Sequence, residues 1–162
     1  MTKEMERIME KYNESLENAH RALQTADHMT YITFPLIKEK RLLLKVLSEL
    51  SISVLNIINA ILQYEYSQKR IQIYKDARDN FQTFKEISIR YQVNQEQLKK
   101  LVEIINLAEK HKKSPFEFVR NDKIVIMSEG MQTETLTLEK IKSYLLEVKD
   151  FIRKANIKIK SI

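Results

Sequence analysis

What the chain lacks narrows its chemistry. Cysteine is absent from its 162 residues, which excludes a disulfide framework, a thiolate metal site and a thiol nucleophile. Glycine occurs once, as Gly130. A P-loop or a dinucleotide fingerprint needs several glycines, and a nucleophile elbow needs glycine beside its serine, so none of these can be built. Tryptophan is also absent, and proline occurs only twice among 31% charged residues. That is the composition of long helices joined by few tight turns. His20, His28 and His111 show no spacing of the H-E-x-x-H kind. "ENAH" (Glu17, His20) matches once the Glu-x-x-His pattern that a di-metal carboxylate bundle needs on two helices. Neither a metal nor another cofactor is expected.

Long apolar runs are scarce as well. "MTKEMERIMEKYNESLENAH" carries charges where a secretory leader would be apolar, so the expected compartment is the cytoplasm. The longest charge-free run, "LSISVLNIINAILQY", covers 15 residues and includes Asn56 and Asn59. A span needs roughly 20 predominantly apolar residues. The run therefore reads as a central bundle helix, with no membrane span expected, and the two asparagines read as a structural polar pair.

What is present is amphipathic and basic. Met5, Met9, Tyr12, Leu16, Ala19, Leu23, Ala26 and Thr30 recur at spacings of four and three, the seam of a packed helix. Pro35 is expected to end or kink it. A middle helix is predicted over residues 36–66, with Leu43, Leu47, Leu50, Val54, Ile57 and Ile61 inward. A third, over 67–91, carries Ile71, Tyr74, Ala77, Phe81, Phe84, Ile87 and Tyr91 on one face, a stripe read as core. Asn94 with Gln97 forms a capping-box pattern ahead of a fourth helix. "KHKK" at 110–113 suits that helix's negative dipole end. The period then shortens to two, predicting strands near 116–119, 123–128 and 132–136 around the turn Arg120–Lys123. Thr137 is placed to cap a last helix with Leu138, Ile141, Leu145, Val148, Ile152 and Ala155 inward. The expected fold is mainly α: one domain over 1–162, an up-and-down bundle of four to five helices. A small antiparallel β-hairpin of two to three strands, about 116–136, is inserted before the last helix.

Net charge is +6, unevenly spread: residues 1–37 hold four Lys/Arg against six Asp/Glu, whereas 140–162 hold seven against two. A basic excess attracts phosphate-bearing or other anionic partners. The candidate contacts are Lys38, Lys40, Arg41, Lys69, Arg70, Lys110, Lys112, Lys113, Arg153, Lys154, Lys158 and Lys160. The expected function is a non-enzymatic binding module that contacts RNA, a ribonucleoprotein or a protein partner.

One stretch offers an enzymatic alternative. In "HRALQTADH", Arg21 and His28 form an Arg-x6-His spacing on a polar strip with His20, Gln24 and Asp27. Arg-x4-6-His resembles the motif of HEPN-domain proteins, small helical bundles that often act as ribonucleases. The resemblance implies that Arg21 and His28 would assist cleavage by 2′-hydroxyl attack. It covers eight residues, and it departs from the family in two respects. Ala22 stands where a polar residue usually follows the Arg, and the pair lies on the first helix rather than near the last. If the seam faces inward, the pair points outward and needs an RNA or a partner chain to complete a site. A third reading is a self-associating structural protein, a homodimer through the first helix.

Overall fold

The computed structural model describes residues 2–160. It is 74% helical, with five helices and a three-stranded antiparallel sheet before the last helix. Helix α1 (Lys3–His28) starts at Thr2, whose hydroxyl accepts from the Met5 amide and satisfies one of the unpaired N–H groups of the first turn. Tyr12, Leu16, Ala19, Leu23, Ala26 and Thr30 of the expected seam are buried, Met5 and Met9 only half so, and Ile8, Ser15 and Ala22 are buried in addition. Helix α2 (Leu42–Ser67) packs along it. Ala19 and Ala26 are small enough for close approach. There the Ser53 hydroxyl donates to the Ala19 carbonyl at 2.8 Å, and the Asn59 amide donates to Ser15 Oγ at 2.8 Å. The asparagines are structural, but not as a pair: Asn56 donates to the Ile52 carbonyl of its own helix.

Pro35 is expected to end or kink the first helix, and the regular helix gives way at His28, ahead of it. The chain widens into a π-turn over Met29–Thr33 and continues as a single helical turn, Phe34–Ile37. A π-turn shifts the backbone register, so a residue without an N–H can be carried. Lys38 then ends the turn in the left-handed region at φ 58°. As a result α2 begins at Leu42, six residues later than the apolar pattern indicates. It is 26 residues long and, with a mean hydropathy of 1.5 over its most apolar window, long and apolar enough to cross a membrane. In the fold, 56% of that window is buried, against α1 and the later helices.

The third helix is also shorter than expected. Residues 68–76 form a loop, and α3 spans only Ala77–Ile87, extended by a 3₁₀ turn over Ser88–Tyr91. Asp76 caps it, and the Asn80 side chain clamps both backbone groups of Tyr74, holding the loop open. Tyr74 and Ala77 are consequently exposed, whereas Phe84, Ile87 and Tyr91 are buried. Helix α4 (Gln95–Lys113) starts at Asn94, which accepts from the Gln97 amide. Gln97 does not return the bond; its side chain reaches Asp150 and the Glu147 carbonyl instead.

Strands β1 (Phe116–Arg120), β2 (Lys123–Met127) and β3 (Thr133–Leu136) pair in sequence order. A two-residue turn joins the first two, with Asn121 at φ 57°, a conformation asparagine tolerates. Ile124, Ile126 and Leu136 join the bundle core, so the sheet is held by packing. Helix α5 (Leu138–Lys160) is capped by the Thr137 hydroxyl and buries Ile141, Tyr144, Leu145, Val148, Phe151, Ile152 and Ala155. It runs antiparallel to α1. Lys149 pairs with Asp27 near the α1 C-terminus, while Asn156 and Lys160 lie beside Leu16 and Arg21.

Candidate basic binding site

The basic candidates divide among separate regions of the surface. Lys38, Lys40 and Arg41 occupy the turn before α2, where Lys40 lies 3.6 Å from Asp122 at the hairpin tip. Lys110 and Lys113 line a cavity of about 450 Å³ beside the β2–β3 turn. Both are already paired, Lys110 with Glu134 at 2.6 Å and Lys113 with Glu109 at 3.3 Å. Lys112 is exposed on the same last turn. Lys69 is exposed at φ 59° in the loop after α2. Arg70, just beyond it, binds Glu65.

Arg153, Lys154 and Lys158 come together. With Arg90, Tyr91, Gln92 and Ile157 they line a cavity of about 510 Å³ between the 3₁₀ turn and the last turns of α5. Arg90 was not among the sequence candidates. Its guanidinium lies 3.5 Å from Glu65, a carboxylate at 0% exposure that it shares with Arg70. The hydrogen bond that Arg70 itself donates to Glu65, reinforced by the carboxylate's charge, raises the Arg70 pKa. Gln92 closes the 3₁₀ turn at φ 59°. Lys154 donates to its carbonyl at 2.8 Å, and Lys158 to the Arg90 carbonyl at 3.0 Å. Cations belong at such a helix C-terminus, where carbonyls are left unpaired. Lys158 also lies 5.5 Å over the Tyr91 ring. Burial, then the Glu65 charge, pushes the Tyr91 phenol well above its usual range, and its hydroxyl is buried with no hydrogen-bond partner.

Asp150 organises the rim. Burial alone would raise its pKa, but hydrogen bonds from Arg153, Lys154 and Gln97 outweigh that and hold it at about 2. The sign follows from linkage: the unfolded state binds the proton more tightly than the folded state does. The stabilisation is therefore complete above the ordinary Asp value of about 3.9 and lost as pH falls through about 2. Asp150→Asn should accordingly flatten the acid limb of a stability–pH curve between those values, read by chemical denaturation at fixed salt. An unchanged limb would mean that Asp150 is not held as described.

Around the other flank of α5 lies a smaller cavity, about 320 Å³, lined by Leu16, Glu17, His20, Arg21, Asn156 and Lys160. At 100° per residue, the row Asn156–Lys160 faces nearly opposite the row Lys154–Lys158. The Asn156 Oδ1 atom is buried there without a partner. Arg21 donates to Asn18 Oδ1 at 3.2 Å, and His20 and Gln24 are hydrogen-bonded at 3.3 Å. Arg21 thus lines this cavity with His20, while His28, exposed at the end of α1, is not part of its lining.

The chain matches no family model, no curated protein and no solved structure. Among the described residues no group of three or more His, Asp or Glu could hold a metal ion. The cavity at the 3₁₀ turn offers cations on a concave, partly apolar surface, which suits binding of an anion.

Proposed function

We propose that this chain is a non-enzymatic binding module that takes an RNA strand through phosphate contacts at the Arg90–Arg153–Lys154–Lys158 cavity. The observation that carries the reading is the convergence of four cations from two elements on one cavity. Fixed guanidinium groups suit phosphate oxygens because their donors form a rigid fork. Arg90 and Arg153 are each half-exposed and held by a carboxylate, Glu65 and Asp150 respectively, so their positions are set before a ligand arrives. Exposed Ile157 on the wall supplies apolar surface for a base or sugar.

The test is a mobility shift of labelled single-stranded RNA. Three or four phosphate contacts give a log–log salt slope of about −2 to −3, a loss of about twenty- to fiftyfold between roughly 50 and 200 mM salt. Arg153→Ala and Lys158→Ala should each reduce that slope by about 0.7, with helicity unchanged by circular dichroism. RNA that runs unshifted at low salt would end this reading. RNA cleaved by the parent chain, but left whole by Arg21→Ala and His28→Ala, would replace it with the HEPN-like one.

A further inference from the structure

The end of the bundle that carries the π-turn exposes large apolar side chains in an unusual concentration. Tyr31 is 45% exposed, Ile32 52%, Leu36 80% and Ile37 61%, all within one short stretch. Phe34, between them, is buried beneath Lys40, whose ammonium sits 5.5 Å from the ring centre. The turn is thus pinned by one aromatic while its neighbours are directed outward. Lys142 and Lys149 of α5 stand over the Tyr31 ring at 5.5 and 5.7 Å. Leu146, on the same α5 row between those lysines, is 66% exposed.

These five side chains present on the order of 500 Å², within the range of the largest apolar patch on a monomer, a kind of patch that is often functional. A stable dimer needs roughly 800 Å² from each partner, so a second copy of the chain is a poor occupant. The surrounding charge points elsewhere. Lys40 lies over Phe34 and Lys142 and Lys149 over Tyr31, and Lys38 and Arg41 follow the turn in sequence, against Asp27, Glu39 and Asp122. Asp27 is paired with Lys149, Asp122 lies 3.6 Å from Lys40, and Glu39 accepts from the Arg41 amide, so five cations against three acids leave the collar net positive by two. Aliphatic side chains at a turn, a tyrosine behind them and a collar of lysines that can snorkel match the layered chemistry of a lipid interface.

We propose that this turn, Tyr31–Ile37, is a docking surface for an anionic phospholipid bilayer. Leu36, Ile37 and Ile32 enter the acyl boundary, and the lysine collar sits at the headgroups. Insertion of this kind is shallow, about 5–10 Å, and leaves the basic cavity on α5 clear of the surface. It therefore stands independently of the RNA reading.

The test uses the full chain and sedimentation with vesicles of phosphatidylcholine alone, or mixed with phosphatidylserine. The protein should pellet only with the mixed vesicles. Leu36→Ser combined with Ile37→Ser should lower partitioning by about tenfold or more, the scale set by burial of an aliphatic side chain. Arg90→Ala with Arg153→Ala should partition as the parent does. Because the chain contains no tryptophan, Leu36→Trp gives a second readout: its emission should shift to the blue with mixed vesicles and not with phosphatidylcholine. Three results would overturn the proposal. One is a parent protein that stays in solution; another is equal pelleting of the serine variant. The third is a concentration-dependent dimer that the serine variant dissolves, which would make a second copy the occupant.

Discussion

Replacing Arg70 and Arg90 together by alanine should destabilise the fold by about 3 kcal/mol, the lower end of the cost of stripping partners from a buried charge. The value rests on Glu65, which is at 0% exposure while the arginine side chains are 43% and 46% exposed. The carboxylate has given up its water, and the two guanidinium groups replace it from the solvent side. Removing one arginine leaves the other in place, so each single variant should cost much less than the pair. Adding Glu65→Met to the double variant should recover most of the loss, because an apolar side chain of similar volume needs no counter-charge. Urea denaturation of the parent and the four variants measures this. A double variant within about 1 kcal/mol of the parent, the scale of an exposed ion pair, would show that the buried charge is not what the arginines compensate.

Glu65 also shows where sequence reading stops. Its position four residues after Ile61 continues the inward row of α2, and a charge on such a row is a legible sign of a buried ion. Its partners are less legible. Arg70 follows by five residues, but Arg90 arrives from the 3₁₀ turn, 25 residues on. Which lysines and arginines share a cavity depends on how helices cross, which spacing along the chain does not encode. Secondary structure read well where one periodicity ran on from a capping side chain, Thr2, Asn94 or Thr137, as in α1, α4 and α5. It misled where side chains act on the backbone. The apolar spacing of Ile71, Tyr74 and Ala77 continues that of Phe81 and Phe84, yet Asp76 and Asn80 hold residues 68–76 as a loop. Pro35 marks an end or a kink, but the sequence carries no sign that the break takes the form of a π-turn over Met29–Thr33. In the β2–β3 turn, Met131, not Gly130, takes the left-handed conformation.

The largest single-residue effects are expected at the aromatic joint between α3 and α5. Phe84 and Phe151 are both fully buried, their ring centres 5.8 Å apart and their planes inclined at 57°. Phe84→Ala or Phe151→Ala should each cost about 3–5 kcal/mol, the transfer term plus the cavity that remains. The double variant should cost less than the sum, by about 0.5–1.5 kcal/mol, since either truncation already removes the ring pair. The two single variants should nevertheless differ in kind. Helix α3 has 11 residues, too few to persist without packing, and Phe84 and Ile87 are its buried side chains. Losing Phe84 should therefore free α3 and the 3₁₀ turn ahead of the rest of the bundle, taking Arg90 away from Arg153 and Lys158. Phe151 sits mid-way along the 23-residue α5, whose truncation should lower stability more evenly. Amide exchange separates the cases: in Phe84→Ala, protection should collapse over residues 77–91 while α1 and α2 keep theirs. Uniform loss across all the helices would mean that α3 is not a separable unit, and that the cavity's geometry depends on the whole core rather than on this joint.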